Sequence, residues 1–184
     1  MNGGGILSLS ASGKSEADPD WSADDSQLVF GNVLEEPQDA AIHTVDLKSR
    51  LVRTSHGSEG YFSPRRSPDG RSIAAVRISD RRLDFFDFAS GKWANLTSMA
   101  SGYPSWSHDG KSIYFLSSPA GQRGIWRVGI ASHKAEEVAS LAEVDQPATI
   151  FGTWVGLAPD DSPLALRNLT TEDIYAWTFV TIQR

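Results

Sequence analysis

The sequence predicts an all-β fold, a β-propeller of four-stranded antiparallel blades, with about four blades in this chain. Three observations carry that expectation. A decapeptide recurs as WSADDSQLVF from Trp21, RSPDGRSIAA from Arg66, WSHDGKSIYF from Trp106 and LAPDDSPLAL from Leu157. A six-residue apolar element recurs in phase with it, as IHTVDL from Ile42, LDFFDF from Leu83, IWRVGI from Ile125 and IYAWTF from Ile174. No segment of helical length carries a strong helical stripe.

The decapeptides are spaced by 45, 40 and 51 residues, near the period of a propeller blade. Each reads as the end of one strand, a tight turn and the start of the next. Asp24, Asp69, Asp109 and Asp160 can accept bonds from backbone N–H groups further along the turn. Gly70 and Gly110 supply a residue tolerant of positive φ, and Asp25 and Asp161 replace them at some conformational cost. The in-phase apolar element, rich in β-branched and aromatic residues, reads as the third strand. Lys48–Arg50 and Ala89–Lys92 supply turns into short fourth strands at 51–54 and 93–97, with a further fourth strand at 135–139. Between Ser132 and Val144 the apolar positions alternate as well as they recur at helical spacing, so strand plus loop is expected there.

The blades so drawn run approximately 17–55, 62–97, 102–139 and 150–179, in a single propeller domain or propeller fragment. The last lacks room for a full fourth strand. Ile6–Ser10 stands 15 residues before Trp21, as Leu51 stands 15 before Arg66, so residues 6–10 read as a closing or orphan strand. The chain is therefore either a small closed ring or part of a larger propeller, and the second reading is preferred. An open ring would expose an apolar blade face and invite self-association through open blade edges.

These decapeptides, each followed by an I/L-x-x-x-D-L/F strand or its variant, resemble the TolB-type (WD-like) β-propeller repeat, over roughly residues 17–179. In that pattern Trp21 and Trp106 would pack between blades. Arg66 and Leu157 depart from the expected Trp, and Ala75 and Leu166 from the expected Phe, so the second and fourth blades are expected to pack less tightly. The last segment resembles the closing blade of propellers that follow a regulatory or kinase domain in bacteria. The resemblance implies a protein-interaction scaffold.

Composition narrows the function classes. With Lys+Arg 17 against Asp+Glu 23, the net charge is −6, which disfavours general attraction to phosphate backbones, and no direct nucleic-acid binding is expected. There is no cysteine, so disulfides and thiolate metal sites are excluded. No run of apolar residues is long enough to span a bilayer, and MNGGGILSLSASG is a poor secretory signal. The compartment, periplasm or cytoplasm, stays open.

No constellation points to chemistry. The recurring carboxylates are explained by turn geometry rather than by calcium binding or acid–base pairing. Ser107-His108-Asp109 holds the residue types of a catalytic triad, but three adjacent residues do not face one another. His43, His56 and His133 have no metal-site spacing. Neither a phosphate loop nor a nucleophile elbow occurs. The expectation is therefore a chain without catalytic residues, metal or cofactor. Arg65, Arg66, Arg81 and Arg82 belong to the one basic concentration and are the candidate partner-binding residues. Local pairing with Asp80 and Asp84 is the competing explanation, and Arg66, in a half-buried slot, is expected to hold a carboxylate or carbonyl. Inter-blade segments 55–62 and 98–103 and the loop 33–41 are the candidate recognition loops for a protein partner. The alternatives are the C-terminal sensory propeller of a bacterial transcriptional regulator or serine/threonine kinase, and the propeller part of a prolyl-oligopeptidase-like peptidase.

Overall fold

The computed structural model describes residues 15–33, 39–146 and 154–169. Its first sheet holds β1 (Ser15–Trp21), β2 (Gln27–Val33), β3 (Ile42–Asp46) and β4 (Val52–Thr54), in that order and antiparallel. The second holds β5 (Tyr61–Arg66), β6 (Ser72–Arg77), β7 (Arg82–Asp87) and β8 (Lys92–Ala100). The third holds β9 (Gly102–Trp106), β10 (Ser112–Ser117), β11 (Gly124–Gly129) and β12 (Ala135–Ser140). A two-stranded sheet, β13 (Val155–Leu157) with β14 (Pro163–Ala165), begins the next repeat. The segment 6–10 and the strand from Ile174 lie outside the described residues.

Side-chain alternation turns these sheets into stacked blades, because consecutive strand residues face opposite neighbours. On β6, Ile73 and Ala75 join a core with Val29 and Ile42 of the first sheet. Ala74 and Val76 join a second core with Ile113, Phe115 and Val128 of the third. All four β6 residues are fully buried. A third core joins Tyr114 and Ile125 to Val155. One cross-strand row therefore points to the preceding blade: Arg66–Ile73–Phe86–Trp93 in the second sheet, and Trp106–Ile113–Val128–Ala135 in the third. Ala75 lacks the phenyl ring of its counterpart Phe115, but Tyr61 and Trp93, stacked at 4.0 Å and 10°, bring aromatic bulk to the same core.

The same row in the first sheet is Trp21–Leu28–Val45–Val52. It faces away from the second blade, and Trp21 is 56% exposed. Among the described residues, the inter-blade role expected of Trp21 is thus not seen. The first and second sheets meet through Val29, Ile42 and their neighbours on the other face. Trp106 does bridge blades: its Nε1 donates to Arg65 O at 2.9 Å, and its ring packs on the core shared with the second sheet.

The innermost strands share a feature that the decapeptide does not contain. Asp18, Ser63 and Tyr103 have φ of 52°, 53° and 52°, and each precedes a proline, Pro19, Pro64 and Pro104. The ladder shifts register at each of these bulges. A bulge re-aims the residues that follow, here the two leading into Trp21, Arg66 and Trp106.

The fourth hairpin differs from the other three. Trp21, Arg66 and Trp106 pair with Leu28, Ile73 and Ile113, but Leu157 pairs with Pro163, one residue sooner. In the first three turns a serine Oγ accepts the amide five residues on: Gln27 N to Ser22, Ser72 N to Ser67 and Ser112 N to Ser107, at 2.9–3.0 Å. The fourth turn has Ala158, which has no hydroxyl, and Pro163, which has no N–H. Ala158 N instead donates to Ser162 O at 2.9 Å. A one-residue slip reverses the faces of a strand, and Leu164, aligned by sequence with Ile73 and Ile113, is exposed.

Candidate binding site between the first two blades

The hairpin aspartates are satisfied within their own turns. Asp24, Asp69 and Asp109 each accept from the serine two residues back, at 2.6–2.7 Å. Asp24, Asp69, Asp109 and Asp160 also accept the backbone N–H two residues on, at 3.0–3.2 Å. The Ser22 hydroxyl, followed by the Ser26 bonds, holds the Asp24 carboxyl down at about 2. Asp69, Asp109 and Asp160 are lowered as well, through Ser67, Lys111 N and Ser162 respectively. The residue after each takes positive φ: Asp25 55°, Gly70 70°, Gly110 68° and Asp161 64°. Asp46 and Asp87 make a second family of turns, each accepting a serine amide three residues on, at 2.7 Å. Among the described residues no cluster of His, Asp and Glu could hold a metal ion.

The Ser107-His108-Asp109 triplet does not assemble into a triad. The Ser107 hydroxyl points to Asp109, and His108 turns to the next blade, where its backbone N–H and its Nδ1 meet Asp161 Oδ1 at 3.0 and 2.6 Å. Asp161 thus serves two purposes, turning the chain at positive φ and tying two hairpins together.

The four candidate arginines do not form one patch. Arg66 lies at the hairpin end of β5, while Arg81 and Arg82 lie at the β6–β7 turn, beside Tyr61 and about 17 Å away along the strand. Arg65 is engaged by Pro64 O at 2.7 Å and lies 4.0 Å from Asp18. Arg81 lies over the Phe62 ring at 4.9 Å, and Arg82 pairs with Asp80 at 3.3 Å. Arg77 pairs with Asp84 at 3.0 Å. Asp84, 3% exposed, also accepts from Tyr61 Oη at 2.6 Å and Asn95 Nδ2 at 2.7 Å. Burial, and then the Asp84 bond, pushes the Tyr61 phenol well above its ordinary range. The Asn95 side chain is committed to this internal network.

Arg66 is where a site opens. In the slot that Trp106 fills in the third blade, Arg66 leaves a cleft of about 310 Å³ between the first two blades. Its walls include Gln27, Thr44 and Arg53 from the first sheet and Phe86 and Phe88 from the second, with His56 in the connecting loop. The Arg66 guanidinium donates to Gln27 Oε1 at 2.9 Å and Gly70 O at 3.4 Å and lies over the Phe88 ring at 5.3 Å. The carbonyl partner expected of it is present. The nearby Asp20 carboxylate takes its backbone N–H at 2.8 Å.

The loop 55–60 beside the cleft is held from below. Ser58 is fully buried; its hydroxyl donates to Ser55 O at 2.7 Å and accepts from Ile42 N at 3.0 Å, while His56 and Glu59 stay exposed. Segment 98–103 is different from the loop expected. β8 runs through Ala100 and β9 starts at Gly102, with Ser101 buried between them and its N–H bonded to Arg81 O at 2.7 Å. Of loop 33–41, residues 34–38 lie outside the described residues; Asn32 grips its far end through Asp39 O and Ala41 N.

Of the remaining tryptophans, Trp93 and Trp126 pack on cores, Trp154 is exposed, and Trp177 lies outside the described residues. His56 falls in the expected recognition loop 55–62, whereas Gln27, Arg53 and Phe88 were not singled out by the sequence. Their only signal was Arg66 itself, a cation in an aromatic slot.

No family model matches the chain. Over 101 residues it is 37% identical to the uncharacterized protein Atu1656 of Agrobacterium fabrum, covering 53% of this chain and 31% of that one. Over 136 residues it is 27% identical to dipeptidyl-peptidase 5 of Porphyromonas gingivalis, covering 64% of this chain and 20% of that one. Among solved structures it superposes on TolB from Acinetobacter baumannii with a TM-score of 0.68 and 17% identity, covering 90% of this chain and 41% of TolB. The chain has the TolB-type β-propeller fold, and it spans a third or less of the length of the curated relatives it matches.

Proposed function

We propose that this chain is a non-catalytic propeller module that binds a protein partner through the segments joining its blades. The loop 55–60 carries this reading. It presents His56 and Glu59 to solvent while the buried Ser58 fixes its backbone to β3. A loop fixed in advance loses little conformational freedom on binding, and loops on a rigid scaffold are where recognition concentrates. The likeness to TolB supports the scaffold and leaves the partner open. The test is a photo-cross-linking residue placed at His56 and, as a control, at Lys134 in the turn before β12. A protein cross-linked from position 56 and not from 134 supports the reading; no cross-link, or equal cross-linking from both, refutes it. The purified chain should leave peptide and ester substrates at background, and turnover above background overturns the non-catalytic part.

The similarity to dipeptidyl-peptidase 5 favours a second reading, in which these blades are the propeller part of a peptidase. The residues described here would then control access to a catalytic domain encoded elsewhere. A nucleophile elbow in the same reading frame of the gene would decide for it.

A further inference from the structure

We propose that the cleft between the first two blades takes the side-chain carboxylate of an acidic peptide, held by Arg53 and Arg66, with the peptide's adjacent apolar side chain against Phe88. This rests on the partner-binding reading and specifies one site for it. Among the described residues, two cations line the cleft and no carboxylate does. Among the described residues neither Arg53 nor Arg66 has an ion pair. Arg66 is half-buried and bonded only to neutral oxygens through its guanidinium, with Nε buried and without a partner. A desolvated cation in this state is stabilised by an entering anion.

The neighbouring acids are already engaged. Asp46 is held by Ser49 N and Oγ at 2.7 and 2.8 Å, and its charge reaches Arg53 only weakly. Asp20 is bound to the Arg66 backbone. The cleft is therefore a positive recess on a chain of net charge −6, and complementarity of this kind selects the partner more than it sets affinity. A planar carboxylate matches a guanidinium fork, and the Phe88 ring, on which Arg66 lies, keeps that fork in place. Phe88 is 42% exposed. It stands edge-on to Phe86 at 5.3 Å and gives the recess an apolar wall beside the charges.

The probe is an end-blocked, fluorescein-labelled peptide of repeated Gly-Glu-Leu units, read by fluorescence anisotropy against its Gln counterpart. The Glu peptide is expected to bind about tenfold or more tighter than the Gln peptide, and Arg53→Glu to remove that difference. Phe88→Ala should weaken both peptides. Arg53 is exposed, so its variant should keep the wild-type unfolding midpoint, whereas changing Arg66 would also break the Gln27 contact. Arg123→Glu, on the third blade, should bind as wild type does. Inorganic phosphate should displace the peptide no better than chloride at equal ionic strength. Equal binding of the two peptides, an unaffected Arg53→Glu variant, equal loss in Arg123→Glu, or specific displacement by phosphate each overturns the proposal. Cross-linking from position 56 that persists in Arg53→Glu would leave partner binding standing while this site falls.

Discussion

Trp21 and Trp106 open two copies of the same decapeptide, and the structure gives them different work. The perturbation is truncation of each. At Trp106 the indole N–H donates to Arg65 O at 2.9 Å across the blade boundary. Trp106→Phe removes that bond, at a cost of about 0.5–1.5 kcal/mol. Trp106→Ala also empties the volume packed on the core shared by the second and third sheets. Large-to-small changes at such sites cost about 3–5 kcal/mol, and the partly exposed indole argues for the lower end. Trp21 is 56% exposed, so Trp21→Ala should cost under about 1 kcal/mol, nearer the range of surface substitutions. The assay is urea unfolding followed by circular dichroism, where a slope of about 2 kcal/mol/M converts these losses to midpoint shifts. Trp106→Ala should lower the midpoint by about 1.5 M, Trp106→Phe by about 0.25–0.75 M and Trp21→Ala by under about 0.5 M, all from that slope. If Trp21→Ala costs as much as Trp106→Ala, the blade-to-blade direction of the cross-strand row is wrong, and the reasoning behind the inter-blade cleft falls with it.

Asp84→Ala would strip partners from Tyr61, Asn95 and Arg77 together, so a loss of about 3–5 kcal/mol is expected in the same unfolding assay; a loss below about 1 kcal/mol would mean the network is not formed. Asp25→Gly should raise stability by up to about 1 kcal/mol, because it removes a side chain at φ 55°. Asp161→Gly should lower stability despite φ 64°, because it also cuts the bonds to His108; equal effects of the two would deny the His108 contact. The hairpin aspartates have lowered folded-state pKa values, Asp24 at about 2 against an ordinary 3.8. Their contribution is therefore present above about pH 4 and lost as pH falls toward 2. Urea midpoints measured at pH 5, 3 and 2 should drop steeply for the wild type and less for Ser22→Ala/Ser67→Ala/Ser107→Ala, and parallel drops would show that the serines do not hold those carboxylates.

The all-β architecture was legible in the sequence because its causes are local. An Asp followed by Gly or Asp between two extended runs closes a hairpin, three times with Ser two residues before it, and four copies in phase imply stacked sheets. Even the one exception could be traced to residues in the chain: Ala158 lacks the hydroxyl and Pro163 the N–H that set the register of the other turns. The bulges at Pro19, Pro64 and Pro104 were not read from the sequence, and only the backbone shows that the preceding residue is left-handed.

What each repeat touches was not legible, because a decapeptide does not encode which neighbour covers it. Trp21 and Trp106 are equivalent in sequence and differ in burial because each row is sheltered by the blade before it. Arg66 stood out as a cation in an aromatic slot, but Gln27, Arg53 and Phe88 come to it from strands far apart in the chain. The sequence by itself determined the turns, the strands and their period. Only the tertiary structure decided which faces are covered and where the charges gather, since both depend on the distance between residues that share no local signal.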